Sequence, residues 1–95
     1  MKNNKIDDKI VITKATESDI ESVYEIEKEN FSYPWNKTGF LNELRFRWSK
    51  FYVAKFEDKV VGYICCWLLE QSAVINNLSV KKEFQNMSVG KKLLA

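Results

Sequence analysis

Three β-rich runs follow one another in the middle of the chain with almost nothing between them. Phe51 to Phe56, Val60 to Leu69 and Ala73 to Val80 are separated only by Glu57-Asp58-Lys59 and by Glu70 with a turn at Gln71-Ser72. Glu57-Asp58-Lys59 is polar and of hairpin length, so the first two runs are expected to fold back on each other as antiparallel neighbours. Gly62, inside the second run, marks a bulge or a close approach of another backbone.

Upstream, Ile10 to Thr13 is short and β-branched and reads as a further strand. Thr16-Glu17-Ser18-Asp19 has the composition of a helix start. Thr16 can cap, and Asp19 puts negative charge in the first turn, where the helix dipole favours it. Ile20, Val23, Tyr24 and Phe31 recur at helical spacing through a helix expected to end at about Glu29. Tyr33-Pro34-Trp35 breaks that helix. Asn36 can cap a second one, with Phe40, Leu41, Leu44 and Trp48 along one side. Beyond the three runs, Lys81 to Met87 reads as a loop and Val89 opens a last helix. The expected order is strand, helix, helix, strand, strand, strand and the start of a helix, an α/β (α+β) arrangement. Residues 1–9 carry almost no apolar surface and are expected to fray, which leaves 10–95 as the domain.

Composition excludes several classes. The 95 residues are 45% hydrophobic and 14% aromatic, enough for one small packed domain. A net charge of +2, with the basic residues spread out apart from Lys81–Lys82 and Lys91–Lys92, gives no nucleic-acid footprint. The chain has no His, which removes Ser–His and Cys–His catalysis and most zinc sites, so no metal is expected. Cys65 and Cys66 are adjacent. Neighbours in a strand point to opposite faces, so they read as small apolar side chains in a reducing compartment rather than as a disulfide. Met1 to Ile10 does not look like a signal peptide, and Val60 to Leu69 is too short to span a bilayer. A cytoplasmic protein without membrane contact is the expectation. The last helix has only about seven residues, too few to be stable alone. It ends on Leu93-Leu94, which should pack against something. The chain therefore reads as truncated, or as a piece that needs a partner.

The stretch from Ile75 to Leu94 is strand, loop and helix start. Free N–H groups at a helix start, helped by the helix dipole, can wrap a pyrophosphate, and small residues let the backbone come close. Gln85, Val89, Gly90 and Lys91-Lys92-Leu93-Leu94 resemble the acetyl-CoA loop of GNAT acetyltransferases, Gln/Arg-x-x-Gly-x-Gly/Ala. Ser88 stands where that pattern has its first Gly, and Asn86 where the close subfamily usually has Arg. Phe31-Ser32-Tyr33-Pro34-Trp35-Asn36, followed by Phe40 and Glu43, is similar to the loop between the first two helices of ribosomal-protein-alanine N-acetyltransferases. Asn77-Leu78-Ser79-Val80 resembles the fourth strand of the same group. The resemblance runs from about Val11 to Leu94.

That resemblance implies the N-terminal part of a GNAT fold, with a mixed, mostly antiparallel sheet and without its C-terminal strands and helix. It implies that acetyl-CoA is held along Leu78, Ser79 and Val80, with the pyrophosphate on N–H groups from Gln85 through Asn86, Met87, Ser88, Val89 and Gly90 to Lys91. It places the acceptor, the N-terminal peptide of a ribosomal protein beginning with Ala, beside Tyr33, Pro34 and Trp35. The Glu base and Tyr acid that such enzymes use lie downstream of the loop, so no residue of this chain is matched to either role. Three alternatives accompany this reading: an inactive remnant that binds CoA or a partner without turnover, an acetyltransferase for small amines, and a plain α/β interaction module.

Overall fold

The structure is a computed structural model and describes residues 9–85 and 89–94. The expected fraying of the N-terminus lies, apart from Lys9, outside these residues. The order is β1 (Ile10–Lys14), α1 (Ile20–Asn30), α2 (Lys37–Arg45), β2 (Ser49–Phe56), β3 (Lys59–Leu69), β4 (Ser72–Val80) and α3 (Val89–Leu94). Short 3-10 turns at Glu17–Asp19 and Lys82–Phe84 precede α1 and α3. The strands form one sheet in the order β1-β2-β3-β4, and every neighbouring pair is antiparallel.

Local chemistry accounts for the boundaries. The Asn36 side chain accepts from the Gly39 N–H at 2.8 Å and caps α2 as expected. Asp19 lies just ahead of α1, where its carboxylate accepts from the Thr16 N–H at 2.9 Å and pairs with Lys55 at 3.3 Å. Phe56 pairs with Lys59, so the hairpin turn is Glu57 and Asp58 alone, at φ 52° and 66°. Two positive φ values match the right-handed twist of the flanking strands, which explains why a two-residue turn suffices.

Two expectations are corrected. Trp48 does not share the apolar side of α2, because the helix ends at Arg45. Trp48 sits in the following turn with the Arg47 guanidinium over its ring at 4.7 Å. Phe31 lies just beyond α1 and is exposed rather than in the helical stripe.

Helices α1 and α2 cover one face of the sheet and α3 sits on the other. On the first face Ile20, Val23, Ile26 and Phe40 meet Phe51, Val53, Tyr63 and Cys65. Phe40 is the centre: its ring lies 5.3 Å from Trp35, 5.9 Å from Phe51 and 5.5 Å edge-on from Tyr63. Such aromatic pairs add about 0.5–1.5 kcal/mol each beyond the area they bury. On the second face Val89 and Leu93 pack against Ile10, Ala54, Val61 and Ile64. The two free cysteines do face opposite ways. Cys65 is buried in the first core, and Cys66 lines an apolar cavity of about 490 Å³ on the second face, beside the end of α3.

Both readings of Gly62 hold. The β2–β3 register passes from Ala54↔Gly62 to Lys55↔Val60, leaving Val61 as the extra residue of a bulge. A Cβ at Gly62 would also lie 3.2 Å from the Ser79 carbonyl oxygen, 3.3 Å from Leu93 Cδ1 and 3.3 Å from Val89 Cγ1. A second bulge follows in β4, where Cys65↔Asn77 gives way to Cys66↔Ile75 and Asn76 is the extra residue.

Candidate functional site

Among the described residues, strand β4 has β3 on one side only. The Lys81 N–H donates to the Val61 carbonyl at 2.8 Å, which continues the β3–β4 ladder one residue beyond the strand. Because inter-strand bonds alternate along an antiparallel pair, Val80 and Leu78 occupy the positions whose N–H and C=O point away from β3. They point into a cleft of about 370 Å³ lined by Asn30, Phe31, Leu78, Ser79, Val80, Gln85 and Gly90.

Side chains from both ends of the cleft converge on one carbonyl. Asn30 Nδ2 donates to the Val80 oxygen at 2.9 Å and also to the Ser79 hydroxyl. Gln85 Nε2 donates to the same Val80 oxygen at 2.9 Å. The 3-10 turn before α3 is tied to α1 by Lys82 N–H, which donates to Glu29 Oε2 at 3.2 Å.

Beneath the cleft lies a buried carboxylate. Glu27, near the end of α1, is 2% exposed. One oxygen accepts from the Tyr63 hydroxyl and from Asn77 Nδ2 at 2.8 Å; the other accepts from the Trp35 N–H at 2.9 Å. Burial first, then the bond to Glu27 and its charge, push the Tyr63 phenol far above the ordinary tyrosine range. Burial likewise pushes the Cys65 thiol up, with the Glu43 charge adding to it. Both stay neutral at physiological pH. Beside Asn77, at the β4 bulge, Asn76 Nδ2 is buried with no partner among the described residues.

The structure gathers five of the expected ligand-binding residues, Leu78, Ser79, Val80, Gln85 and Gly90, around one cleft. The Ser79 side chain is turned toward Asn30, and Val89 is buried on the sheet next to Gly62. Lys91 is exposed, and Asn86, Met87 and Ser88 lie outside the described residues. Tyr33 is 94% exposed in the loop between α1 and α2. Pro34 is half-buried, as is Trp35, which packs inward on Phe40. The cleft wall on this side is made by Asn30 and Phe31 instead.

Sequence reasoning missed Glu27, Asn30 and the part Phe31 plays. A signal was present for Glu27: it lies seven residues after Ile20 and four after Val23, on the buried stripe of α1.

A larger hollow of about 530 Å³ beside α1 is lined by charges of both signs. Its acidic groups are largely engaged, as Asp19 with Lys55, Glu21 with Lys37 at 2.6 Å and Glu29 with Lys82, so it shows no convergent set of free groups. Among the described residues, no group of three or more His, Cys, Asp or Glu could hold a metal ion. Nor, among them, is any helix long and apolar enough to cross a membrane.

Comparison with known proteins bears on this arrangement. Residues 20–95 match the Acetyltransferase (GNAT) family. Over 76 residues the chain is 34% identical to a Bacillus subtilis (strain 168) protein provisionally named a [ribosomal protein bS18]-alanine N-acetyltransferase, covering 79% of this chain and 50% of that one. The fold matches the ribosomal-protein-S18-alanine N-acetyltransferase of Escherichia coli with a TM-score of 0.80 at 19% identity, over 90% of this chain and 54% of that one. It also matches PaiA N-acetyltransferase from Thermoplasma acidophilum, solved in complex with coenzyme A, with a TM-score of 0.80 at 23% identity, over 90% and 67% of the two chains. The chain spans about half the length of the curated relatives it matches. Since the family match runs from α1 to the last helix, and so takes in both the cleft and the loop beside it, this chain belongs to the GNAT family of acetyltransferases.

Proposed function

We propose that the chain takes part in moving an acetyl group from acetyl-CoA to an amine, and that the amine is the N-terminal α-amine of a ribosomal protein beginning with Ala. The observation that carries this reading is the open edge of β4, whose Leu78 and Val80 backbone groups face a cleft walled by Asn30 and Phe31 on one side and lined also by Gln85 and Gly90. An extended ligand rich in amides can add to such an edge as a strand would. Acetyl-CoA, when bound, supplies an activated acetyl thioester and a thiolate that can leave.

The residues present fit such a ligand. The N–H groups of Leu78 and Val80 are aimed into the cleft and would pair with its amide and thioester carbonyls. The Val80 carbonyl already accepts from Asn30 and Gln85, so an incoming amide would take the place of one of them; Gln85 is the more exposed. At Gly90 a Cβ would meet nothing within 4 Å, so the backbone there has open space before it. N–H groups between Gln85 and Lys91 would hold the pyrophosphate.

The acceptor would enter past the exposed Tyr33 and meet the cleft at Phe31. An α-amine has an ordinary pKa of about 7.7–8.0, so a fraction is already free base at neutral pH. None of the seven residues lining the cleft carries a carboxylate, phenol or amine side chain. The share of the work assigned to the described residues is therefore binding and orientation rather than proton transfer. A ribosomal acceptor would put the protein in the cytoplasm. The cleft lining, which holds no acid or base side chain, favours a second reading in which these residues bind CoA without turnover.

Titration of the purified chain with acetyl-CoA, followed by incubation with an Ala-initiated ribosomal peptide and with a panel of small amines, tests the proposal. Saturable acetyl-CoA binding and acetylation of the peptide alone are expected. Binding without product would select the second reading, product only with small amines would reassign the acceptor, and no binding would remove both readings. Leu78→Pro deletes one N–H on the open edge while sparing the ladder, and it should abolish acetyl-CoA binding in a chain that still folds.

A further inference from the structure

Glu27 joins four separate elements at one carboxylate. It belongs to α1, and it accepts from the loop after α1 at Trp35 N–H, from β3 at Tyr63 O–H and from β4 at Asn77 Nδ2. One turn further on, Asn30 makes a second tie from α1 to β4, at Ser79 and Val80. The loop that carries Tyr33 and the strand whose edge forms the cleft are thereby fastened to the same helical turn. Packing alone does not call for a charge here. Its donors are a backbone N–H, a phenol and an amide, with no cation among them, so the carboxylate is better explained by the geometry it sets. An N–H in the middle of a loop also needs an acceptor of its own, because no ladder serves it. A carboxylate is the one side chain that offers two oxygens in opposite directions with no donor of its own.

We propose that Glu27 is the positioning residue of the acceptor side: by holding the Trp35 N–H against the Tyr63–Asn77 pair, it fixes the distance between the Tyr33 loop and the open edge of β4. The residue touches neither ligand. At 2% exposure it acts through Trp35 and Asn77, and it sets where an acceptor meets the bound thioester. The acceptor half of this inference rests on the function proposed above.

Two measurements decide it. The first uses the parent chain: native-state hydrogen exchange resolved to single amides. The Trp35 amide should be protected well beyond those of Ser32 and Tyr33 in the same loop; exchange at their rate would overturn the proposal whatever the ligands prove to be. The second uses Glu27→Met/Tyr63→Phe, which removes charge and phenol together and keeps an apolar core. This variant leaves the Trp35 N–H and Asn77 Nδ2 without their acceptor and should melt below the parent; at temperatures where it is folded it should bind acetyl-CoA within about twofold, while its Trp35 amide loses protection and its affinity for an Ala-initiated peptide falls on the order of tenfold or more. Glu27→Gln still offers Trp35 an oxygen once the Asn77 amide turns over, and it should restore most of that affinity. Unchanged peptide affinity in the double variant, or parallel loss of acetyl-CoA and peptide, would show a structural role only and would refute positioning. If the parent binds no such peptide, the acceptor reading itself fails, and the exchange rate of the Trp35 amide still decides whether Glu27 holds that loop.

Discussion

Replacing Gly62 by Ala tests the packing that sets α3 against the sheet. In an unconstrained strand this change would help by about 0.5–1 kcal/mol, because glycine loses the most backbone freedom on folding. Here the new methyl would lie 3.2–3.3 Å from three neighbours, whereas carbon contacts are optimal at about 3.5–4.0 Å. The neighbours differ in what they can yield. The Leu93 methyl ends a flexible side chain. Val89 is β-branched and stiff at χ1. The Ser79 oxygen is main chain in β4, paired with β3. Overpacking of this kind costs about 1–3 kcal/mol, which outweighs the entropic gain and leaves a net loss of roughly 1–2 kcal/mol. For a domain of this size each kcal/mol lowers Tm by about 4–8 °C. Urea denaturation and calorimetry of Gly62→Ala, Leu93→Ala and the double variant would measure it. Leu93→Ala alone opens a cavity and is destabilising, but it relieves one of the three contacts, so the double variant should be more stable than the two losses summed, by about 0.5 kcal/mol or more. A Gly62→Ala chain as stable as the parent, with additive behaviour in the double variant, would refute the close approach of α3 to β3.

Further outcomes follow from the same packing and hydrogen bonding. Tyr63→Phe removes one of three donors from a buried carboxylate and should cost about 1.5–3 kcal/mol in urea titrations; a loss below about 0.5 kcal/mol would mean the phenol does not support Glu27. Because the folded state holds the Tyr63 and Cys65 protons more tightly than the unfolded chain, their contribution is complete below the ordinary values and is lost as pH rises past about 9 for the thiol and about 10 for the phenol. Urea midpoints measured from pH 7 to 11 should therefore fall, and fall less in Tyr63→Phe/Cys65→Ala. Glu57→Asn with Asp58→Gly suits the two positive φ values and should raise stability by about 1 kcal/mol or more; no gain would argue against that turn.

Much of the scaffold is legible in local chemistry. The Asn36 cap and the bulge and close approach at Gly62 each depend on residues close in sequence or on a residue type with one structural use, and each is found where the sequence places it; the two turns are shifted by a residue, since Lys59 joins β3 and Ser72 joins β4. The strands Phe51 to Phe56 and Val60 to Leu69 differ from β2 and β3 only at their first residues. Phe31 and Trp48 go astray because helical spacing continues past the point where the helix stops, and spacing alone does not show where that is. Glu27 is missed for another reason. Among Glu21, Glu25 and Glu29 it looks like one more solvated acid, and what buries it are Tyr63 and Asn77, 36 and 50 residues away. The cleft is legible on its strand side, through Leu78 to Val80. It is not on its helix side, since the docking of Asn30 and Phe31 beside β4 depends on how α1 crosses the sheet.

The open side of β4 has a consequence for handling the protein. From Ser72 to Val80 the strand contains no charged residue and no proline, and Val74 and Ile75 are exposed. The opposite edge, β1, carries Lys14 and is flanked by Lys9. Charges and prolines are what proteins use to keep sheet edges from pairing with one another. A concentrated solution of this chain should therefore associate through β4 rather than β1, by the same backbone groups that face the cleft. Turbidity should rise with concentration and fall when acetyl-CoA is added, because a ligand bound along that edge would compete directly with a second molecule for it.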